Sequence, residues 1–236
     1  MTIRSPALRV GREKFGIDRY DPSLALYLPL WYEGLQPSNF YSMDINHHAC
    51  TITGTDWNYQ GRTFVAANQD KIEKATGVSG IGGQTGMSIS GWVKRGATGA
   101  HHGIYALGST AVFKYQLLFI RNTDKIEADF GNDADTAQRT FRTTDSFTDT
   151  TNFNHIVATY DAGTIVIYVN GVSWAGATGG TYTGAVCSPT TLLDVGAASG
   201  NSFWFNGIIG EVSVCNRAWT LAEVLRHYQA TKWRYQ

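Results

Sequence analysis

Cysteine is scarce in this sequence: Cys50, Cys187 and Cys215 are the only three in 236 residues. No CxxC pair exists, which argues against a zinc or thioredoxin-like site, and at most one disulfide can form with one thiol left over. Free cysteine is among the most buried residue types, so all three are expected as small core residues. Charge is scarce as well. Charged residues make up 16%, with 19 Lys and Arg against 19 Asp and Glu. A nucleic-acid binder shows a basic excess, and the chain as a whole has none. Long apolar runs are missing. The most apolar stretch, residues 24–32, is short and interrupted by Pro29, well under the ~20 residues that a helix needs to cross a bilayer. The opening MTIRSPALRVGREKFG has no apolar core segment of the secretory type. The expectation is a protein made without a signal peptide, with neither nucleic acid nor membrane as a partner.

What is present favours strands. Aromatics reach 13%, glycine numbers 26, and threonine recurs throughout, a mixture that suits extended chain joined by tight turns. A chain of this length buries roughly 70% of its unfolded surface and needs neither metal nor disulfide to fold. Residues 1–23 read as an arm that ends at Asp21-Pro22 and in which Arg4, Arg9, Arg12, Lys14 and Arg19 stand against Glu13 and Asp18, a local basic excess. Two readings of the arm stay open: a solvated or loosely docked terminus, or an assembly arm that docks on a neighbouring subunit. Residues 24–236 read as one domain.

Leu24, Leu26 and Leu28 alternate with Ala25, Tyr27 and Pro29, a period of two, and Pro29 should end that strand because it lacks a backbone donor. Residues 34–62 read as irregular. Met87, Ile89 and Val93 share one face against Ser88, Ser90, Trp92 and Lys94; Phe113, Tyr115, Leu117 and Phe119 form the next stripe; Ile126, Ala128 and Phe130 oppose Glu127 and Asp129. Asn154 to Trp174 predicts a three-stranded meander, with turns at Asp161-Ala162-Gly163 and Asn170-Gly171. Asn-Gly is the strongest short hairpin signal, since a type I′ turn needs positive φ at both central residues. Ile208, Val212 and Val214 share a face against Ile209, Glu211 and Ser213. Thr220 and Glu223 form a capping box, and Leu221, Val224, Leu225 and Tyr228 make an apolar helical stripe. Many strands, one terminal helix and no βαβ alternation predict an all-β fold: an antiparallel two-sheet jelly-roll sandwich with one short C-terminal helix.

The runs NHIVATYDAGTIVIYVNGV (154–172) and FNGIIGEVSVCNRAWTLAEV (205–224) resemble the hallmark hairpins of laminin-G-like, concanavalin-type jelly rolls. Gly207, Glu211, Val212, Asn216, Arg217 and Ala218 carry the second match; Ser88 to Val93 and Leu26 to Leu30 echo the family more weakly. The resemblance spans about residues 24–230 and implies the fold rather than a function, because that fold hosts lectins, adhesion modules, glycosidases and structural proteins. Many members carry an acidic residue just before the Glu-Val pair. Gly210 stands there instead, so no ligand role is carried over to it.

Catalytic constellations are mostly missing. Laminarinase-type glycosidases of this architecture use Glu-x-Asp-x-x-Glu; here Glu127-Ala128-Asp129-Phe130-Gly131-Asn132 ends in an amide that cannot donate an acid proton. Retaining hydrolysis needs two carboxyl groups about 5–5.5 Å apart, so no catalytic residue is assigned, and Glu127 and Asp129 are expected on an exposed polar strand face. The glycines at 80, 82, 83 and 86 do not make a GxGxxG loop, and the pairs His47-His48 and His101-His102 point to opposite faces on a strand, which suggests surface roles without metal. No other cofactor is expected. Asn132-Asp133-Ala134-Asp135 is the best oxygen-rich loop, and Asp133 and Asp135 are candidate calcium ligands, although a solvated acidic turn is favoured. Trp174, Tyr182 and Trp204 lie in or beside Gly/Thr/Ser-rich segments and are candidate glycan-stacking residues, whereas Trp92, Trp219 and Trp233 look like packing residues.

The first functional expectation is a non-catalytic structural or adhesive surface protein. It would be a component of a virus particle, of capsid-decoration or tail-adhesin type, or of a similar assembly. It would sit on the virion or another extracellular surface as a homo-oligomer or beside other structural subunits. The alternative is a carbohydrate-binding, lectin-like module with a glycan as partner. A glycoside hydrolase is the least favoured.

Overall fold

The computed structural model of the chain describes residues 17–36, 39–109, 113–198 and 202–236. Its first strands are β1 (Leu24–Leu28), β2 (Asn39–Tyr41), β3 (Ala49–Thr53), β4 (Asp56–Asn58), β5 (Gly61–Phe64) and β6 (Lys71–Thr76). They are followed by β7 (Gly86–Arg95), β8 (His102–Gly108), β9 (Tyr115–Ile120), β10 (Ile126–Gly131), β11 (Gln138–Thr143) and β12 (Asn154–Asp161). The last are β13 (Thr164–Val169), β14 (Val172–Trp174), β15 (Gly176–Gly180), β16 (Thr191–Val195) and β17 (Gly207–Cys215), before helix α1 (Leu221–Thr231). An eight-stranded sheet runs β14-β13-β12-β7-β17-β5-β4, with β1 also paired to β17, and a nine-stranded sheet runs β15-β11-β10-β9-β8-β16-β6-β3-β2. Every named pairing is antiparallel, so the expected sandwich is present.

Between the sheets lies one apolar core. Met87, Ile89 and Val93 from one sheet meet Leu118, Ile120, Ile126, Ala128 and Phe130 from the other. Alternation places every second residue there, and a fully buried Leu, Ile or Phe side chain contributes roughly 1.5–3 kcal/mol. The stripe Tyr115, Leu117 and Phe119 faces the opposite way, into a smaller cluster with Ala106 and Ala198. All three cysteines are buried and free.

Two strands break the simple period. β1 shifts register between Leu24 and Leu26. Leu26 and Leu28 therefore enter the main core, while Leu24 joins Tyr27, Val157 and Trp219 on the outer face; the expectation of one leucine face is corrected accordingly. β17 shifts between Ile209 and Glu211. Ile209, not Ile208, enters the core with Val212 and Val214. A bulge adds one residue and inverts the phase of everything after it, which composition does not reveal.

The meander closes as expected. Ala162 and Gly163 have φ of 43° and 90°, Asn170 and Gly171 of 53° and 82°. Helix α1 begins in the predicted capping box, with the Thr220 hydroxyl accepting from the Glu223 amide and the carboxylate accepting from the Thr220 amide. Its packed face is Val224, His227 and Thr231, however, while Leu221 and Leu225 are 54% and 40% exposed. The helix turns its more polar edge inward because it must answer polar groups on the sheet below. Pro29 follows β1 directly, as its missing donor requires. Trp233, expected as packing, is 62% exposed, whereas Trp92 and Trp219 are buried.

The two turns give opposite expectations for one methyl group. A Cβ at Gly171 adds the left-handed penalty of about 1–2 kcal/mol and meets Leu225 Cδ1 at 2.9 Å, so Gly171→Ala lowers the urea midpoint. Ala162→Gly relieves that penalty and raises the midpoint, less the ~0.5–1 kcal/mol of backbone entropy that glycine costs. Midpoints moving in the same direction would contradict these turn geometries.

Candidate functional site

The outer face of the nine-stranded sheet carries one straight row of paired residues: Gly179, Thr140, Asp129, Leu117, Ala106, Asp194, Glu73, Thr51 and Asn39. Directly opposed residues share a face, so Asp129 and Asp194 belong to one surface. Three strand spacings of ~4.8 Å separate their backbones, about 14 Å, beyond the roughly 6.5–9.5 Å of even an inverting glycosidase pair. Glu127, on the same face, is 5% exposed and Asp129 7%, which corrects the expectation of an exposed polar face. Ala198 and Phe203, on either side of residues 199–201, pack with Ala106, Leu117 and Phe119, and the Phe203 ring stacks 5.3 Å from Phe119. Beside that cluster Arg121 Nη1 donates to Glu127 Oε1 at 2.8 Å and Arg142 Nε donates to Oε2. Both carboxylate oxygens are taken. Burial, with Glu127 beside it, pushes the Asp129 carboxyl up to about 8; burial raises Asp194 to about 6.

The other sequence-predicted residues are not brought together. Asp133 accepts from the Ser188 amide at 3.0 Å and hydroxyl at 3.2 Å and pairs with Lys114 at 3.2 Å. Asp135 accepts from the Phe113 amide, and the Asn132 side-chain Oδ1 takes the Thr136 and Ala137 amides at 2.9 and 3.2 Å. The loop thus satisfies its own backbone, and among the described residues no group of three or more His, Cys, Asp or Glu side chains is placed to hold a metal. Trp174 ends edge strand β14 and packs toward the core near Phe147, Tyr182 follows β15 with its hydroxyl donating to the Ala185 carbonyl, and Trp204 lies between β16 and β17. Of the arm residues, Arg4, Arg9, Arg12 and Lys14 lie outside the described residues. Arg19 is half-buried, and Asp21 and Ser23 anchor the start of the domain to Arg217 at 3.5 and 3.1 Å. His48 and His102 are 2% and 0% exposed rather than superficial. Their rings contact the Ala25 and Ala97 carbonyls at 3.2 and 3.1 Å, and burial lowers both, His102 to about 4.

Sequence reasoning missed a buried polar chain beneath α1. Ser90 Oγ and His227 Nδ1 each lie 3.0 Å from His155 Nε2. His227 Nε2 lies 3.2 Å from Glu211 Oε1, at ion-pair range though off the hydrogen-bond direction. Tyr27 and the Trp31 indole donate to Glu211 Oε2 at 3.2 and 3.3 Å, and Arg234 approaches it at 3.5 Å. Ser90, His155, His227 and Glu211 are at most 5% exposed. The order of residue types resembles a hydrolase relay, yet no substrate reaches it. Burial holds His155 well below the usual histidine range, so the chain ties α1 to the sheet through neutral as well as charged links. A histidine alternating with Val157 in β12, and another three residues after Val224, were the available signals.

A second missed feature opens beside that chain. Trp31, Tyr32, Glu33, Trp57 and Tyr59 line a cleft of about 210 Å³. One wall is the chain leaving β1 and its 3-10 turn Glu33–Leu35; the other is the β4–β5 hairpin, joined by Tyr59 and Gln60. Buried Arg62 ties the walls together. Its Nη2 donates to the Leu35 and Gln36 carbonyls at 2.6 and 2.9 Å, and its Nη1 to the Thr55 carbonyl and hydroxyl at 3.1 and 3.2 Å. Trp31 is held from behind: its amide donates to the Gly210 carbonyl at 3.3 Å, and the Arg234 guanidinium stacks 3.7 Å from its ring centre. Trp57 and Tyr59, two apart in a Gly/Asn segment, were the only sequence hint.

Asp129 yields a pH test. Its folded value near 8 exceeds the unfolded value of about 3.9. The folded chain therefore holds a proton that the unfolded chain has lost, and this contribution is complete below pH ~4 and disappears as pH rises through 8. Asp129→Asn keeps the neutral shape, so its stability relative to the parent rises with pH from 5 to 8 by up to ~1.4 kcal/mol per unit, read from urea midpoints. A gap independent of pH would contradict the buried, protonated carboxyl.

Similarity to known proteins is consistent with the architecture. No curated protein sequence matches the chain. Among solved structures, domain 4 of AbnA, a GH43 extracellular arabinanase from Geobacillus stearothermophilus in complex with arabinotriose, matches with a TM-score of 0.63 at 17% identity over 88% of this chain and 98% of that one. The binding domain of Paraclostridial Mosquitocidal Protein 1 matches at 0.61 and 12% identity over 87% of this chain, and Trypanosoma rangeli sialidase with sialic acid at 0.62 and 12% over 93%. This chain spans 52% and 35% of those two structures; at such identities the likeness is one of fold. The laminin-G-type family described as the concanavalin A-like lectin/glucanases superfamily matches residues 66–225, more than half of the sequence, and with both sheets and the capped helix in place the chain belongs to that superfamily.

Proposed function

We propose that this protein is a non-catalytic, lectin-like recognition module that works by adhesion to glycans. The observation that carries the reading is the state of the carboxyl groups on the nine-stranded sheet. Hydrolysis of a glycosidic bond needs an acid and a base or nucleophile facing one another across the bond. Here Glu127 is held by Arg121 and Arg142, Asp129 is buried and protonated near neutrality, and Asp194 lies three strands away. Glu73, the cross-strand neighbour of Asp194, is tied to it through Lys71, which lies 2.5 Å from Glu73 and 4.0 Å from Asp194, so among the described residues no carboxyl pair on that face is left unengaged. Solved structures of similar fold include a domain in complex with arabinotriose and the binding domain of a mosquitocidal protein, which supports recognition as the role. The proposed setting is an outer surface, of a virus particle or of another extracellular assembly, where repeated copies turn weak contacts into avidity.

Glycan-array binding combined with a reducing-sugar assay tests this. Retention of glycans without release of product is the expected result, and Glu127→Gln leaves retention unchanged. Product formation that disappears in Glu127→Gln would overturn the non-catalytic reading. Chelation is expected to leave both binding and melting temperature where they were, because Asp133 and Asp135 already have internal partners; a melting temperature that rises on adding calcium would contradict this.

A further inference from the structure

We propose that the aromatic cleft of Trp31, Tyr32, Trp57 and Tyr59 is the glycan site, and that it takes a single uncharged pyranose ring. The inference rests on the lectin-like reading and adds a place and a ligand class to it. All five lining residues precede residue 66. They lie outside the segment matched by the family, so nothing about the site follows from family membership.

Three physical features carry it. The first is shape and chemistry. Four aromatic side chains converge on about 210 Å³, less than the roughly 300–1,000 Å³ of pockets for drug-sized ligands and so scaled to one ring. Aromatic faces are electron-rich and attract the polarised C–H face of a pyranose, while the exposed Glu33 carboxylate at the rim accepts from ring hydroxyls. Tyr59 is 75% exposed, a large apolar ring at a hairpin tip with its face open to a ligand. The second is an orphan. Trp57 Nε1 is shielded from water and has no hydrogen-bond partner, and an unsatisfied buried donor costs roughly 1–3 kcal/mol; a small shift of the indole on binding would let a ligand hydroxyl answer it.

The third feature is rigidity. Arg62 cross-ties the walls with four hydrogen bonds. Trp31 is fixed by the Gly210 carbonyl, Glu211 and Arg234. Even Gly34 contributes, since a Cβ there would meet Tyr32 Cε1 at 2.4 Å. A site fixed before binding does not lose side-chain entropy on binding. Charge then selects the ligand class. Among the described lining residues the one carboxyl is Glu33; Arg62, between the walls, is buried against carbonyl and hydroxyl oxygens, and Arg234 lies behind Trp31 against Glu211. A carboxylated sugar would meet a like charge and, among the described residues, no cation facing it, which disfavours sialylated ligands.

The test is titration of the full chain with methyl pyranosides of uncharged hexoses and pentoses and with a sialoside, followed by tryptophan fluorescence and by calorimetry. Uncharged pyranosides are expected to bind and to perturb tryptophan emission. Tyr59→Ala, at an exposed tip, is expected to fold normally and bind roughly 3–10-fold more weakly, the loss of one aromatic contact of ~0.5–1.5 kcal/mol. Trp174→Ala and Trp204→Ala are expected to leave affinity unchanged. Glycan binding that survives Tyr59→Ala and Trp57→Phe but is lost in Trp174→Ala or Trp204→Ala would overturn this site while leaving the lectin-like reading intact. Binding of the sialoside alone, weakened by Tyr59→Ala, would overturn the ligand class. Failure of every glycan to bind would overturn the parent reading and the site together.

Discussion

The bulge at Gly210 is the constraint on which the rest of this molecule turns. One extra residue in β17 lets Ile209 and Val212 both face the core and sends Glu211 to the outer face. At the same point β17 exchanges partners along its free edge. Gly207 to Ile209 pair with β5, and Val212 to Cys215 pair with β1. The carbonyl exposed at the exchange accepts the Trp31 amide, which aims the chain leaving β1 toward the cleft. Only glycine fits there: a Cβ would meet Tyr235 Cε1 at 2.3 Å and the Gln60 carbonyl at 2.7 Å. The space that a side chain at Gly210 would fill is taken by the ring of Tyr235, which stacks 4.5 Å from Trp92.

Turning Glu211 outward creates a cost that the C-terminal segment resolves. A carboxylate that is 1% exposed is tolerable only when paired and hydrogen-bonded. Tyr27, Trp31, His227 and Arg234 surround it, from β1, the chain after β1, α1 and the turn after α1. This explains why α1 faces inward with His227 and Thr231 and leaves Leu221 and Leu225 outside. Replacing one partner of such a cluster leaves a buried charge uncompensated, typically at 3–5 kcal/mol. The same cluster therefore fixes the helix and the back wall of the cleft.

Legibility in the sequence followed how local the determining interaction is. The meander from Asn154 to Trp174 and the Thr220–Glu223 box depend on residues within a few positions of each other, and both were readable. The two register shifts were not: Leu24 and Ile208 each satisfy a period of two in the sequence, and only pairing with a distant strand inverts their faces. Burial of Glu127 was invisible for a related reason. The alternation Ile126, Ala128, Phe130 marks the core side correctly, but on the opposite side Arg121 and Arg142 close on Glu127 and Phe203, far along the chain, stacks on its neighbour Phe119. The cleft was hidden because its rings come from two segments that read as an apolar strand end and an irregular loop.

The two halves of the candidate chemistry also differ in how they were built. On the nine-stranded sheet, within the family's matched segment, carboxyl groups stand in a row that the shared architecture aligns, and this chain engages them with Arg121, Arg142 and Lys71. The cleft lies at the far edge of the other sheet, where β4 is the last strand, and draws on residues before the matched segment and on Arg234 after it. Edge strands and terminal segments can change without altering the pairing of inner strands, so they are where a fixed sandwich acquires a new specificity at the least structural risk. A buried arginine bonded to four backbone and hydroxyl oxygens, with no carboxylate among them, is a large outlay for a surface hairpin; holding two aromatic walls at a set separation is the physical purpose that accounts for it.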